Sequence, residues 1–282
     1  MVEIRSNNSL VTISEIGAEV HSVKVNGEEY IWCGDPNIWG SHSPLLFPIC
    51  GGLIDDKYTL NGKEYRLNKH GFCTDAVFTV ENQDLSSVAF LYCANKKTLE
   101  MYPYNFQLRV TYTITDNKLE VKYDVTNTDD VIMYYSIGSH EAYACPEGYE
   151  YYDIVFPEKE SLVALDVIGA QIDHKGTQVL KDGNVLPLYD RYFKIDALVF
   201  EKFKSKSATL RNRATGREIT VEFPDATWLL IWTKPQAPLV CIEPWRGAPD
   251  YVDENGDIAK KTGIVSICPK STSTTIHSII FK

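Results

Sequence analysis

Apolar and polar residues alternate along most of this chain, and turn residues interrupt the alternation at short intervals. In residues 108–114 (LRVTYTI) and 119–125 (LEVKYDV) the alternation is strict and is centred on Thr115-Asp-Asn-Lys118. That pattern predicts a hairpin with one buried face and one wet face. Residues 23–31 and 58–65 each place Asn-Gly between strand-like runs, the pairing that a two-residue hairpin turn favours. Residues 208–213 and 218–223 flank Ala214-Thr-Gly-Arg217 and predict another hairpin. Residues 226–233 and 238–242 are almost continuously apolar, which predicts strands covered on both faces. Residues 272–281 are rich in β-branched side chains and read as a last strand. No helical stripe of 12 or more residues occurs, so helix is expected only as short turns around 35–39 and 98–101.

Strand signals recur with no Ser/Gly/Pro-rich linker, composition break or internal repeat. The expectation is one all-β domain over residues 1–282, built of stacked antiparallel sheets. Within 282 residues, 44% are hydrophobic and 12% aromatic, with 17 tyrosines, enough for a compact core. The formal charge of −10 and the lack of a basic run argue against a nucleic-acid partner. The N-terminus has no apolar signal core and no run is long enough to span a bilayer, so a cytoplasmic protein with no membrane partner is expected, as monomer or homodimer. Seven scattered cysteines without a Cys-x-x-Cys pair suit reduced thiols that fill the core.

Candidate chemistry sits in three places. Cys241-Ile-Glu-Pro-Trp245 sets Glu243 at the end of an apolar strand beside an indole, a composition suited to a sugar site. His70 and His140 each lie next to glycine and close to an aromatic residue. One acid and two imidazoles can supply general acid-base chemistry, although sequence spacing alone fixes no proximity. Phe72 and Trp245 are candidates for an apolar floor beneath a sugar ring, and Arg246 for contact with a sugar oxygen or a phosphate. His21, His42, His174 and His277 lack such context and read as structural or solvated. With no close-spaced histidine pairs, no metal is expected.

In order along the chain, residues 47–51 (FPICG), 55–58 (DDKY), 70–72 (HGF), 138–140 (GSH), 196–198 (DAL) and 243–245 (EPW) resemble the landmarks of the galactose mutarotase-like (aldose 1-epimerase) family. The likeness runs over essentially the whole chain and is nearest to a divergent bacterial branch. It implies a β-supersandwich of large antiparallel sheets and a cofactor-free mutarotase. By resemblance, Glu243 takes the proton of the anomeric hydroxyl and His140 protonates the ring oxygen; that chemistry requires a pocket that holds His140 protonated near neutral pH, which a facing carboxylate favours, while Glu243 stays ionised. The ring opens, the C1–C2 bond rotates, and reclosure gives the other anomer. By the same resemblance His70 hydrogen-bonds near the reacting centre and Asp196 fixes sugar hydroxyls. Two places depart from the family pattern: Gly51-Gly52 stands where Gly-Arg is usual, and Glu141-Ala-Tyr143 where Pro-Tyr/Phe-Asn is usual. A free aldohexose is the expected substrate. The alternatives are a hexose 6-phosphate, for which Lys234, Arg246 and Arg191 would have to gather, and a carbohydrate-binding or sensing protein without turnover.

Overall fold

A computed structural model describes residues 1–194 and 196–282. The long alternating hairpin forms as expected: Phe106–Thr115 pairs with Lys118–Asn127 in register Leu108↔Val125 through Ile114↔Leu119. These strands lie within a nine-stranded antiparallel sheet that runs from Gly183–Pro187 at one edge to Thr79–Gln83 at the other, with the C-terminal strand Thr272–Phe281 near its centre. The expected Asn-Gly hairpins are Val20–Val25 with Glu28–Glu29 and Lys57–Leu60 with Lys63–Arg66, and Asn26 and Asn61 take φ of 53° and 51°. Residues 98–101 fall in the short helix Lys96–Met101, capped by Asn95 and Thr98. The 35–39 segment is a hydrogen-bonded turn, not a helix: the Ile38 and Trp39 amides both donate to the Asp35 carbonyl.

A second large sheet carries the candidate chemistry. Its order is Gln171–Gln178, Val163–Ile168, Leu198–Phe200, Trp228–Trp232, Leu239–Arg246, Ile137–Ser139 and Leu45–Leu46, with Ala142–Ala144 also paired to Leu239–Arg246. In Leu239–Arg246, Val240 and Ile242 pack into the core shared with Leu108, Val110, Leu119 and Val121 of the nine-stranded sheet. The intervening Cys241, Glu243 and Trp245 point to the opposite face, which explains why this strand reads as continuously apolar. Four of the cysteines are buried, but Cys33, Cys93 and Cys268 are exposed and fill no core. Among the described residues no helix is long and apolar enough to cross a membrane.

One ionic contact links the sheets. Glu141, beside the Glu243 strand, lies 2.9 Å from His277 of the C-terminal strand, and their side chains are only 6% and 3% exposed. Burial by itself would raise the Glu141 carboxyl, but the charge and hydrogen bond of His277 hold it below the usual carboxylate range. Removing one partner of such a pair leaves the other polar and buried. Glu141→Ala is therefore expected to cost roughly 3–5 kcal/mol, read as a lowered urea midpoint, and Glu141→Ala/His277→Leu together should cost less than the single change.

Candidate active site

Strand register brings the two expected catalytic groups together. Gly138 faces Trp245 and Ala142 faces Cys241, so the residue midway between them, His140, falls opposite Glu243. His140 Nε2 lies 3.4 Å from Glu243 Oε2. On the other side of the same strand Trp228, Leu230 and Trp232 face Trp245, Glu243 and Cys241. Gly138 allows the close packing, because a Cβ there would lie 2.3 Å from Trp245 Cδ1, and the indole Nε1 donates to the Ser139 carbonyl.

These residues line a cavity of about 560 Å³, a volume ordinary for a small-molecule site. His70 enters from another part of the chain with a left-handed φ of 68°, a conformation held only where surroundings enforce it. Its backbone amide donates to the Gly51 carbonyl, and its Nδ1 accepts from the Gly51 amide at 3.1 Å. In the neutral ring that assigns the proton to Nε2. The His70 ring lies 5.8 Å from both the His140 ring and the Trp245 ring. Trp39 stacks on His140 at 5.2 Å and Trp232 meets it edge-on at 5.5 Å. Asp196 and three lysines, Lys69, Lys194 and Lys234, add further charged groups to the lining.

Burial dominates the electrostatics. It pushes the Glu243 carboxyl well above its ordinary value, with Lys69 opposing and Asp196 and Glu141 reinforcing the rise. It pushes His140 down to about 4 and His70 well below the ordinary imidazole value. Burial therefore works against the expected resting state, an imidazolium facing a carboxylate, because it favours the neutral form of both groups. His140 also weakens the fold in acid. Between pH 6.5 and about 4 the unfolded chain takes up a proton that the folded chain refuses, so stability falls with pH.

Glu243, His140, His70, Asp196 and Trp245 thus share one cavity. Phe72 does not reach it: its ring packs against Phe47, Tyr102 and Phe106 inside the core. Arg246 does not either, since strand alternation turns it to the other face, where it donates to Ser273, Thr274 and Thr275. Arg191 stacks on Tyr189 and Tyr192 and is absent from the lining, so of the three cations expected to gather only Lys234 does so. Lys69, Trp39, Trp232 and Cys241 were not singled out by sequence. Period-two alternation from Glu243 points to Cys241, and Lys69 precedes His70, whereas nothing local marks Trp39.

A model of the aldose 1-epimerase family matches residues 1–266. The chain belongs to the aldose 1-epimerase family. It is 32% identical to a plasmid-encoded protein named LacX from Lactococcus lactis subsp. lactis, over 99% of this chain and 98% of that one. A galactose mutarotase related enzyme from Lactobacillus acidophilus superposes with a TM-score of 0.95 at 33% identity, covering 100% and 97% of the two chains. A galactose mutarotase-like protein from Lactobacillus casei gives 0.94 at 29% identity, covering 100% of both.

The two departures from the family pattern have structural counterparts. Glu141 forms the inter-sheet pair with His277. At Gly52 there is no room for a side chain, because a Cβ would stand 2.4 Å from the Ala170 Cβ and 3.0 Å from the Ala170 carbonyl oxygen, to which Gly52 N also donates. The turn that joins Val163–Ile168 to Gln171–Gln178 takes that space in this aldose 1-epimerase family member. Gly52→Ala is expected to displace this turn and cost about 1–3 kcal/mol, measured as a lowered urea midpoint, and Gly52→Arg should cost more.

Proposed function

We propose that this protein is a cofactor-independent aldose 1-epimerase that interconverts the α and β anomers of a free aldohexose. The observation that carries the reading is the 3.4 Å approach of His140 Nε2 to Glu243 Oε2 in an aromatic-lined cavity. Ring opening requires a proton to leave the anomeric hydroxyl and another to reach the ring oxygen. A carboxyl and an imidazole that share one proton can do both, each contributing roughly 10²- to 10⁴-fold.

The protonated Glu243 and neutral His140 of the free site hold the same number of protons as carboxylate plus imidazolium. Either arrangement opens the ring: one group donates to the ring oxygen while the other accepts from the anomeric hydroxyl. The pair emerges with its roles exchanged, and reclosure restores it. After rotation about C1–C2 the new hydroxyl forms on the opposite face. Lys69 favours the carboxylate form of Glu243 and opposes a charge on His140, so it lowers the proton affinity of both partners. His70, whose ring lies 5.8 Å from that of His140, donates from Nε2 to a sugar oxygen near the reacting centre, Asp196 accepts from hydroxyls, and Trp39, Trp232 and Trp245 provide apolar faces for the ring.

A phosphorylated aldose is the second reading, and the specific feature in its favour is the cationic lining of Lys69, Lys194 and Lys234. Polarimetry or NMR on freshly dissolved α-glucose, α-galactose and glucose 6-phosphate separates the possibilities. Acceleration on a free sugar that falls at least about 10²-fold in Glu243→Gln supports the first. Acceleration confined to the phosphate ester, and lost in Lys69→Ala, supports the second, while sugar binding with no acceleration on any of the three indicates a binding protein.

The proton inventory also sets a pH dependence. Activity requires one proton on the pair, so a second proton on His140 abolishes it, and that occurs near its depressed value of about 4. The acid limb of kcat/KM is expected near pH 4, where an ordinary imidazole would place it near 6.5, with the alkaline limb set by the raised Glu243 carboxyl. An acid limb at 6.5, with the fold intact by circular dichroism, would contradict this assignment.

A further inference from the structure

Away from the catalytic pair, the fold gathers three side chains that sequence gave no reason to connect. Glu19 and His21 lie at the start of the strand Val20–Val25, and His42 lies in the segment between the 35–39 turn and Leu45–Leu46. Their potential ligand atoms all lie within 4.8 Å of one another. The two imidazoles stack with ring centroids 3.9 Å apart and planes 12° from parallel. Glu19 Oε2 is 3.2 Å from His21 Nε2.

The cluster is built rather than incidental. Glu19 Oε1 accepts the amides of His42 and Ser43 at 2.8 and 2.9 Å, which fixes the carboxylate and leaves Oε2 turned to the imidazoles. The His42 ring lies flat on Gly34, where a Cβ would come within 2.4 Å of its Cε1. Its Nδ1 is buried with no hydrogen-bond partner among the described residues. A buried ring nitrogen left unpaired costs on the order of 1–3 kcal/mol. Here it sits in a group whose only fixed charge is negative. A cation bound between the three donors would satisfy Nδ1, neutralise the carboxylate and hold the rings apart in charge.

We infer that Glu19, His21 and His42 form a binding site for a divalent transition metal of the zinc type. Two imidazoles and a carboxylate are the donors such an ion prefers, whereas calcium and magnesium favour all-oxygen shells. Bond lengths of about 2.0–2.2 Å in a tetrahedral site need donors roughly 3.3–3.5 Å apart, which rotation of the half-exposed His21 and of the Glu19 carboxylate end can supply. Water completes the coordination. The ion would join the N-terminal sheet to the segment that supplies Ser41 and Pro44 to the cavity wall and whose His42 carbonyl accepts the Ala142 amide. It would brace the wall without touching the reacting atoms.

The second group of metal-type donors, His140, Cys241 and Glu243, belongs to the catalytic centre, so the test must separate the two. Chelator-stripped full-length protein is titrated with Zn²⁺ by calorimetry and with Co²⁺ by visible absorption, as wild type, His42→Gln, His21→Ala and Cys241→Ser. Expected are one equivalent of Zn²⁺ bound, Co²⁺ bands of a four- or five-coordinate site, and a raised thermal midpoint. Both histidine changes should weaken binding at least about tenfold, and Cys241→Ser should leave it unchanged. His21→Ala alters a partly exposed side chain and guards against a folding defect in His42→Gln. No binding by wild type, or binding lost in Cys241→Ser but retained in both histidine variants, would overturn the site.

Discussion

The structure turns on the burial of one carboxylate. Glu243 is only 2% exposed on a strand whose neighbouring positions, Val240 and Ile242, anchor the core between two large sheets. Because side chains alternate across a strand, the residue that faces the cavity cannot move away without withdrawing its neighbours from the core. The acid is thereby held in a poorly solvated place, and the protein must supply what water would have supplied. It does so with His140, between the adjacent strands Ile137–Ser139 and Ala142–Ala144, and with the charge of Lys69.

That arrangement reverses the usual order of proton affinity within the pair. An isolated carboxyl and an isolated imidazole differ by about 2 pH units, with the imidazole the stronger base. Desolvation acts on them in opposite directions, raising the acid and lowering the base, and so narrows and then inverts the gap. A reaction whose two halves exchange the roles of donor and acceptor benefits from such a pair. Trp39 and Trp232 pack against the His140 ring, and with Trp245 they make part of the cavity wall apolar.

The chain's own features within the aldose 1-epimerase family are substitutions of space and charge. A hairpin turn lies where a side chain at position 52 would go, and the charged groups on the cavity wall include Lys69, Lys194, Asp196 and Lys234. Glu141 carries a negative charge into the region between the sheets, where His277 pairs with it. Its field reaches Glu243 and His140, so a contact between sheets also acts on the proton affinities of those two groups.

Much of the architecture is local and was therefore legible in the chain. Asn26-Gly27 and Asn61-Gly62 dictate their turns through backbone preference, and the alternation at 108–125 fixes a strand pair within 18 consecutive residues. Glu243, His140, His70, Asp196 and Trp245 were legible as candidates because an isolated acid or imidazole in an apolar, glycine-flanked setting is costly without purpose, and the ordered motifs resembled a family. Phe72 and Arg246 were misread because sequence does not say which face of a strand or loop looks into a cavity. Trp39 and the grouping of Glu19, His21 and His42 could not be seen at all, since their meaning lies in neighbours that come from distant parts of the chain. Sequence by itself determined the strands, their turns and the residue types available for proton transfer, because these follow from interactions between near neighbours. The tertiary structure alone decided which of those residues share a cavity, how deeply each is desolvated and in which direction its proton affinity moves, because pairing distance and burial are properties of packed sheets.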